Sequence, residues 1–241
     1  VRPPLNFLNF CETFCEYYSV YVCIDDNSYD ISLNANSKII ILKIDSNECE
    51  NAGFKDCVMY VRNKACSRDK ALYYFCKNNI EFNNIWFIEE DVFIPNVQSI
   101  INMDTKYNEC DLICSPYKLL NMKHILTLWH LRNYIENIKF KDILAKCMIC
   151  AIRINKKMLY LINKYAEEYK TLFMDEFLFP TIAFHNKLKI VNPIELKTIV
   201  FKRNWTIDSI LNNPTNLFHP IKNIDDQIKY REQLNSNKKI N

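Results

Sequence analysis

The stretch Ile85-Trp86-Phe87-Ile88-Glu89-Glu90-Asp91-Val92-Phe93-Ile94-Pro95 decides how this chain is read. An apolar, β-prone run stops on a string of acids, and apolar sequence resumes directly after them. Acids opening a helix are favoured by its dipole, and that alone would account for such a string. These acids, however, interrupt a hydrophobic stretch, where desolvating carboxylates is costly unless a cation or hydrogen bonds compensate. A hard divalent ion, Mg²⁺ or Mn²⁺, with phosphate and water completing its oxygen ligands, is the natural compensation.

Similar runs lie on either side. Ser19-Val20-Tyr21-Val22-Cys23-Ile24 stops at Asp25-Asp26-Asn27-Ser28, and Lys38-Ile39-Ile40-Ile41-Leu42-Lys43-Ile44 stops at Asp45-Ser46-Asn47. Cys57-Val58-Met59-Tyr60-Val61 and Asp111-Leu112-Ile113-Cys114 are shorter runs of the same kind. Helix-length segments separate them; in one, Ser67 reads as N-cap, with Leu72, Phe75, Cys76 and Asn79 at helical spacing. Nearly all-apolar strands alternating with helices predict an α/β fold, its central sheet mostly parallel with helices on both faces. Ligands of open α/β sheets bind beyond the carboxyl ends of the strands, which is where Asp25, Asp26, Asp45 and Glu89 to Asp91 fall.

The second half has a different texture. Within residues 118–140 the spacing of Leu126, Trp129, His130 and Tyr134 predicts a helix, and Met148 to Ile154 reads as a buried strand. Asn155 reads as the cap of an amphipathic helix with Met158, Ile162, Tyr165, Ala166 and Tyr169 on its core face. Asp175-Glu176 opens an apolar helix-like stretch interrupted by Pro180; a short strand, Leu188 to Val191, follows, and the chain is polar from Arg203 onward. Without internal repeats or a low-complexity linker, residues 1–241 read as one domain: a sheet half (17–117), a second half (118–225) and a polar tail (226–241).

Composition narrows the possibilities. At 241 residues the chain is long enough for a core without staples, burying roughly 70–75% of its unfolded surface. A net charge of +3, with Lys and Arg scattered among Asp and Glu, argues against a dedicated nucleic-acid binder. The single glycine, Gly53, excludes Walker-A and dinucleotide-binding loops, so any bound phosphate must be held by side chains and a metal. Eleven cysteines, odd in number and irregularly spaced, read as reduced core residues of an intracellular, cytoplasmic protein. Cys147 and Cys150 have zinc-knuckle spacing, but no second such pair follows and their surroundings read as a buried strand. No run of about 18 apolar residues occurs, so no transmembrane helix is expected. The opening Val1-Arg2-Pro3-Pro4 is neither an initiator methionine nor a signal peptide, as in a piece of a longer chain.

The stretch from Ile85 to Phe93 resembles the acidic motif of glycosyltransferases of the GT-A fold in its Glu-Asp-Asp form, departing from it at Glu90. Val22-Cys23-Ile24-Asp25-Asp26 is similar to that family's first strand, whose end meets the nucleotide base. Ser67-Arg68-Asp69-Lys70-Ala71-Leu72 is similar to the helix start that closes over the nucleotide. Phe173-Met174-Asp175-Glu176-Phe177 resembles the acceptor-side acidic motif, where inverting members keep their general base. His219-Pro220-Ile221-Lys222 resembles the late histidine that adds a metal ligand, with a lysine for the diphosphate. The combination covers roughly residues 20–225 and also resembles glycosyltransferases encoded by large DNA viruses of algae and amoebae; each motif is short, and their joint order carries the likeness.

The resemblance implies a GT-A (Rossmann-like) domain that moves a sugar from a UDP- or GDP-sugar donor to a hydroxyl of a glycan or glycoprotein acceptor. It implies Asp91, Glu89 and His219 as ligands of Mn²⁺ or Mg²⁺. Asp25, Asp26, Asp45, Arg68, Asp69, Lys70, Glu89, Glu90 and Lys222 would surround the donor in 17–117 and beyond, and Asp175 or Glu176 would act as base in the acceptor half. For a virus-encoded chain the compartment is the host cytoplasm. The residue types suit the chemistry: a departing diphosphate needs fixed positive charge, and a carboxylate assists removal of the acceptor proton by about 10²–10⁴-fold. Plainer roles stay open at each position: a helix cap for Asp175, a loop histidine for His219, a solvated helix face for Arg68 and Lys70, and packing for Trp129 and His130 in place of an acceptor platform. Two other functions compete. A non-catalytic nucleotide-sugar or glycan binder would keep the fold; a haloacid-dehalogenase-type phosphatase needs an Asp-x-Asp that Asp25-Asp26-Asn27-Ser28 lacks.

Overall fold

The apolar run ahead of the acids is a strand, β3 (Asn84–Ile88), whose carboxyl end organises the site. The structure, a computed structural model, describes residues 3–31, 33–58, 62–121, 139–140 and 143–238. Before β3 come α1 (Leu5–Glu12), β1 (Tyr21–Cys23), β2 (Ile40–Leu42), α2 (Ser46–Ala52) and α3 (Ser67–Lys77). After it come α4 (Val97–Lys106), β4 (Leu112–Ile113), β5 (Lys118–Asn121), β6 (Ile143–Lys146), β7 (Ala151–Asn155) and α5 (Lys156–Tyr169). The chain continues through α6 (Asp175–His185), β8 (Ile190–Val191), a 3₁₀ turn (Ile194–Leu196), α7 (Ile207–Leu211) and α8 (Ile224–Lys238).

The largest sheet has the order β3-β7-β4-β8. β4 and β8 are parallel, but β7 runs antiparallel to both β3 and β4, with Ile88 opposite Ala151 and Ile113 opposite Arg153. β1 and β2 form a separate parallel pair, and β5 and β6 an antiparallel one. The expected α/β class holds, in small mixed sheets: within the largest, β3, β4 and β8 run one way and β7 the other. Burial on both faces, from which that expectation came, does hold. Phe87, Leu112, Ile152 and Ile154 pack on one face with Leu72 of α3, Met158 of α5 and Phe179 of α6. Trp86, Ile88, Ile113 and Ala151 pack on the other with Ile100 and Met103 of α4. Two-sided burial selects apolar runs whichever way a strand points, so strand direction is not written in them.

Local signals fare unevenly. Asn155 caps α5 by accepting the Met158 N–H at 2.9 Å, and Met158, Ile162, Tyr165 and Ala166 are buried as their spacing predicts, whereas Tyr169 is exposed. Cys66, rather than Ser67, is the N-cap of α3, which ends before Asn79, and α6 runs through Pro180. Lys118–Asn121 is a strand, and Leu126, Trp129, His130 and Tyr134, on which the expected helix was read, lie outside the described residues. Cys57 and Val58 form a bend instead of a strand, and Met59 to Val61 lie outside the described residues. The polar C-terminal stretch forms α8, which buries Gln227 and Leu234 and sets the Arg231 guanidinium 3.4 Å from the centre of the Phe10 ring.

The single glycine has a conformational reason to be one. Gly53 ends α2 at φ 92°, and a Cβ there would meet the Ala166 carbonyl oxygen at 2.2 Å. All eleven cysteines are free thiols, as their irregular spacing predicts. Among the described residues, no helix is long and apolar enough to cross a membrane.

Candidate functional site

Because β7 is antiparallel, its first residues lie beside the last residues of β3, and the Glu89 N–H donates to the Cys150 carbonyl at 2.8 Å. The acids then enter a short segment stitched to residues 218–221. Phe93 and Phe218 exchange backbone hydrogen bonds (2.8 and 3.1 Å), and the Ile221 N–H donates to the Asp91 carbonyl at 2.7 Å. From α8, Gln227 Nε2 donates to the Glu90 carbonyl at 3.0 Å. Backbone pairing thus carries His219, from the far end of the chain, up to the acidic motif.

The His219 ring is fixed from behind. Its Nδ1 lies 2.8 Å from the Val200 carbonyl oxygen; a carbonyl only accepts, so Nδ1 carries the proton. Nε2 then faces Asp91 Oδ1 at 3.4 Å and Glu89 Oε2 at 3.7 Å. In the neutral ring this sets a lone pair against two carboxylates, which is favourable only with a proton or a metal ion between them. Burial pushes the His219 pKa down, but the hydrogen bond and charge of Asp91, with Val200 and Glu89, outweigh it and hold the pKa above its usual 6.5. Carboxylate oxygens with one imidazole fit Mn²⁺ and, less selectively, Mg²⁺. Cys150 adds a softer donor: its thiol, the Glu89 carboxylate and His219 present ligand atoms within 4.8 Å of one another.

Arg68 binds the acidic motif to a second carboxylate. From the first turn of α3, it donates through one guanidinium nitrogen to Glu89 Oε1 and through the other to Asp175 Oδ2. The bridge is desolvated, with the Arg68 side chain 11% exposed and that of Asp175 4%. Burial outweighs the stabilising Arg68 charge and raises the Asp175 pKa to about 7. Asp175 is the first residue of α6 and engages Arg68 rather than capping its own helix. Glu176, next in α6, has a side chain 24% exposed with Lys146 Nζ at 3.6 Å. Burial raises the Glu176 pKa too, and Lys146 opposes that rise.

Other residues singled out by sequence have structural employment. Asp45 caps α2, accepting from the N–H groups of Asn47 (2.8 Å) and Glu48 (3.0 Å). Asp69 is buried and accepts from the Cys57 and Cys66 N–H groups at 3.2 and 2.9 Å. Lys70, 1% exposed, donates to the Asp25 carbonyl at 2.8 Å and so ties α3 to the end of β1. Asp26 closes a turn by accepting from the Ser28 N–H at 3.0 Å, while the Asp25 side chain is exposed. Glu90 and Lys222 are exposed, Lys222 adjoining the Ile221 that bonds Asp91. Trp129 and His130 lie outside the described residues.

Sequence patterns missed Cys150, Lys146 and Gln227. The Cys147/Cys150 spacing was the available signal for the first, but only Cys150 joins the acids; Cys147 lies against Cys114. The chain is thus a mixed α/β protein with a carboxylate, imidazole and thiol cluster where its central strands end. Compared with models of known protein families, with curated proteins and with solved structures, it matches none.

Proposed function

We propose that this chain is a metal-dependent glycosyltransferase of GT-A type, moving a sugar from a UDP- or GDP-sugar to a hydroxyl of a glycan or glycoprotein acceptor with inversion. One observation carries the proposal: Asp91, Glu89 and His219, from opposite halves of the chain, converge with the His219 Nε2 lone pair aimed at the two carboxylates. These residues would hold Mn²⁺ or Mg²⁺, and the ion when bound neutralises charge on the departing nucleoside diphosphate. Arg68 takes Glu89 Oε1 and leaves Oε2 facing His219, so the guanidinium orients a ligand. Lys222 supplies further positive charge from the same segment as His219. The end of β1, at Asp25 and Asp26, receives the nucleoside.

Between the base candidates, Glu176 is favoured. Asp175 is committed to Arg68 and nearly closed to solvent, whereas Glu176 is more accessible and its affinity for a proton is raised by burial. A carboxylate in that state accepts the acceptor proton more readily than an exposed one. The eleven free thiols support a cytoplasmic location.

A thermal-shift panel of nucleotide sugars with and without Mn²⁺ tests the proposal. Stabilisation by UDP or GDP species only when metal is present supports the transferase. Donor binding without transfer to any acceptor would favour the non-catalytic binder. Hydrolysis of simple phosphate esters without any response to nucleotides would sink it.

A further inference from the structure

We propose that Cys150, Glu89 and His219 form a three-ligand site for a thiophilic divalent ion, Zn²⁺ above all, with a fourth position left open. The donors are of three kinds, a thiolate sulfur, a carboxylate oxygen and an imidazole nitrogen, all within 4.8 Å of one another. Bond lengths of about 2.0–2.3 Å place the ligand atoms of a tetrahedral zinc roughly 3.3–3.7 Å apart. His219 Nε2 and Glu89 Oε2 already stand at 3.7 Å, with the Cys150 sulfur within 4.8 Å of the ligand atoms on both. The frame behind the donors is rigid: the Glu89 N–H bonds the Cys150 carbonyl, and His219 donates Nδ1–H to Val200. A histidine whose second nitrogen is held by a carbonyl has the tautomer and orientation of a metal ligand. Cys150 and His219 are 5% and 7% exposed, which restricts water to the remaining position.

This donor set ranks metals differently from carboxylates alone. Sulfur and imidazole favour zinc over manganese or magnesium, and zinc stands above manganese in general affinity. On binding, the Cys150 S–H proton passes to solvent and a Zn–S bond forms; no electron is transferred. The single Nε2 lone pair of His219 cannot serve two ions at once, so Zn²⁺ bound there displaces Mn²⁺ from this ligand. That the displacement also blocks the nucleotide sugar rests on the function proposed above; zinc binding itself does not.

Cobalt is the probe. The metal-free full chain, kept reduced with a phosphine, is titrated with Co²⁺ and read for a thiolate-to-cobalt charge-transfer band in the near ultraviolet and the intense visible bands of tetrahedral cobalt. Wild type should show both, and Zn²⁺ should bleach them. Cys150→Ser and Cys150→Ala should lose the charge-transfer band, while Cys147→Ser keeps it. Metal-free melting curves establish that the variants are folded. X-ray absorption of the wild-type zinc form, which needs no variant, should give one sulfur among nitrogen and oxygen ligands. Absence of sulfur from the zinc shell, or a band that survives in folded Cys150 variants, overturns the site. Loss of the site with Mn²⁺-dependent nucleotide shifts intact would leave the transferase standing; a cobalt–thiolate band with no nucleotide response would do the reverse.

Discussion

His219 Nε2 lies 3.4 Å from Asp91 Oδ1, while the opposite nitrogen of the same ring donates to the Val200 carbonyl. The ring is therefore locked with one face committed and the other presented to carboxylates. Whatever occupies the gap, a proton or a metal ion, decides the state of the site.

Acidity should act on this pair in two opposite senses. Without metal, the stability that His219 contributes is fully present below its unfolded pKa, near 6.5, and is lost as pH rises through the higher folded value. Metal-dependent nucleotide binding should fail as pH falls through that same folded value, because the proton takes Nε2. Melting curves across about pH 5 to 9, with and without Mn²⁺, should cross over in this way, and His219→Gln should flatten both trends.

Asp91→Asn should abolish the metal-dependent nucleotide shift and leave the metal-free protein folded. It should also lower the His219 pKa, since the hydrogen bond and negative charge of Asp91 do most to raise it. Proton NMR of the imidazole reads that change, and an unmoved His219 titration would contradict the geometry.

Replacing Arg68 by Met strands Asp175 in a buried position. Breaking such a pair costs about 3–5 kcal/mol when the remaining carboxylate stays charged. The Asp175 pKa is already raised to about 7 and should rise further without the guanidinium. A raised carboxylate pKa favours the folded state at low pH, so the deficit should be largest in alkaline solution and shrink on acidification. Urea denaturation at two pH values measures it.

Glu176→Gln should keep donor binding and lose transfer by about 10²–10⁴-fold. Asp175→Asn should weaken the hold on Arg68 and lower stability as well as activity. Transfer surviving in Glu176→Gln and failing in a folded Asp175→Asn would move the base one residue back, and normal transfer in both would remove this pair from the mechanism.

Gly53→Ala should destabilise the fold by about 2–4 kcal/mol, because the added Cβ meets the Ala166 carbonyl oxygen and the backbone is left-handed there. Calorimetry should show a clearly lowered Tm, with nucleotide affinity unchanged wherever the protein remains folded.

Much of this molecule is legible in short patterns. The run from Ile85 to Ile88 announces a buried strand, Asn155 announces a helix start, and the acids from Glu89 to Asp91 announce something other than core. These signals are local, since burial of a strand and capping of a helix are set by neighbours in the chain. Asp45 and Asp69 show the weakness of the same logic: a carboxylate at a strand end or in a helix turn caps as readily as it binds a ligand.

By itself, the sequence determined that apolar strands would be covered on both faces, that no glycine-rich phosphate loop could form, and that acids would interrupt a hydrophobic stretch. Only the tertiary structure decided that β7 runs antiparallel and so brings Cys150 beside Glu89. It likewise decided that Arg68 divides itself between Glu89 and Asp175, and that His219 turns Nε2 toward Asp91. The physical reason is range. Hydrophobic periodicity reports whether a residue is buried, while the partner of a buried charge is chosen by segments distant in the chain that the packing of the core brings together.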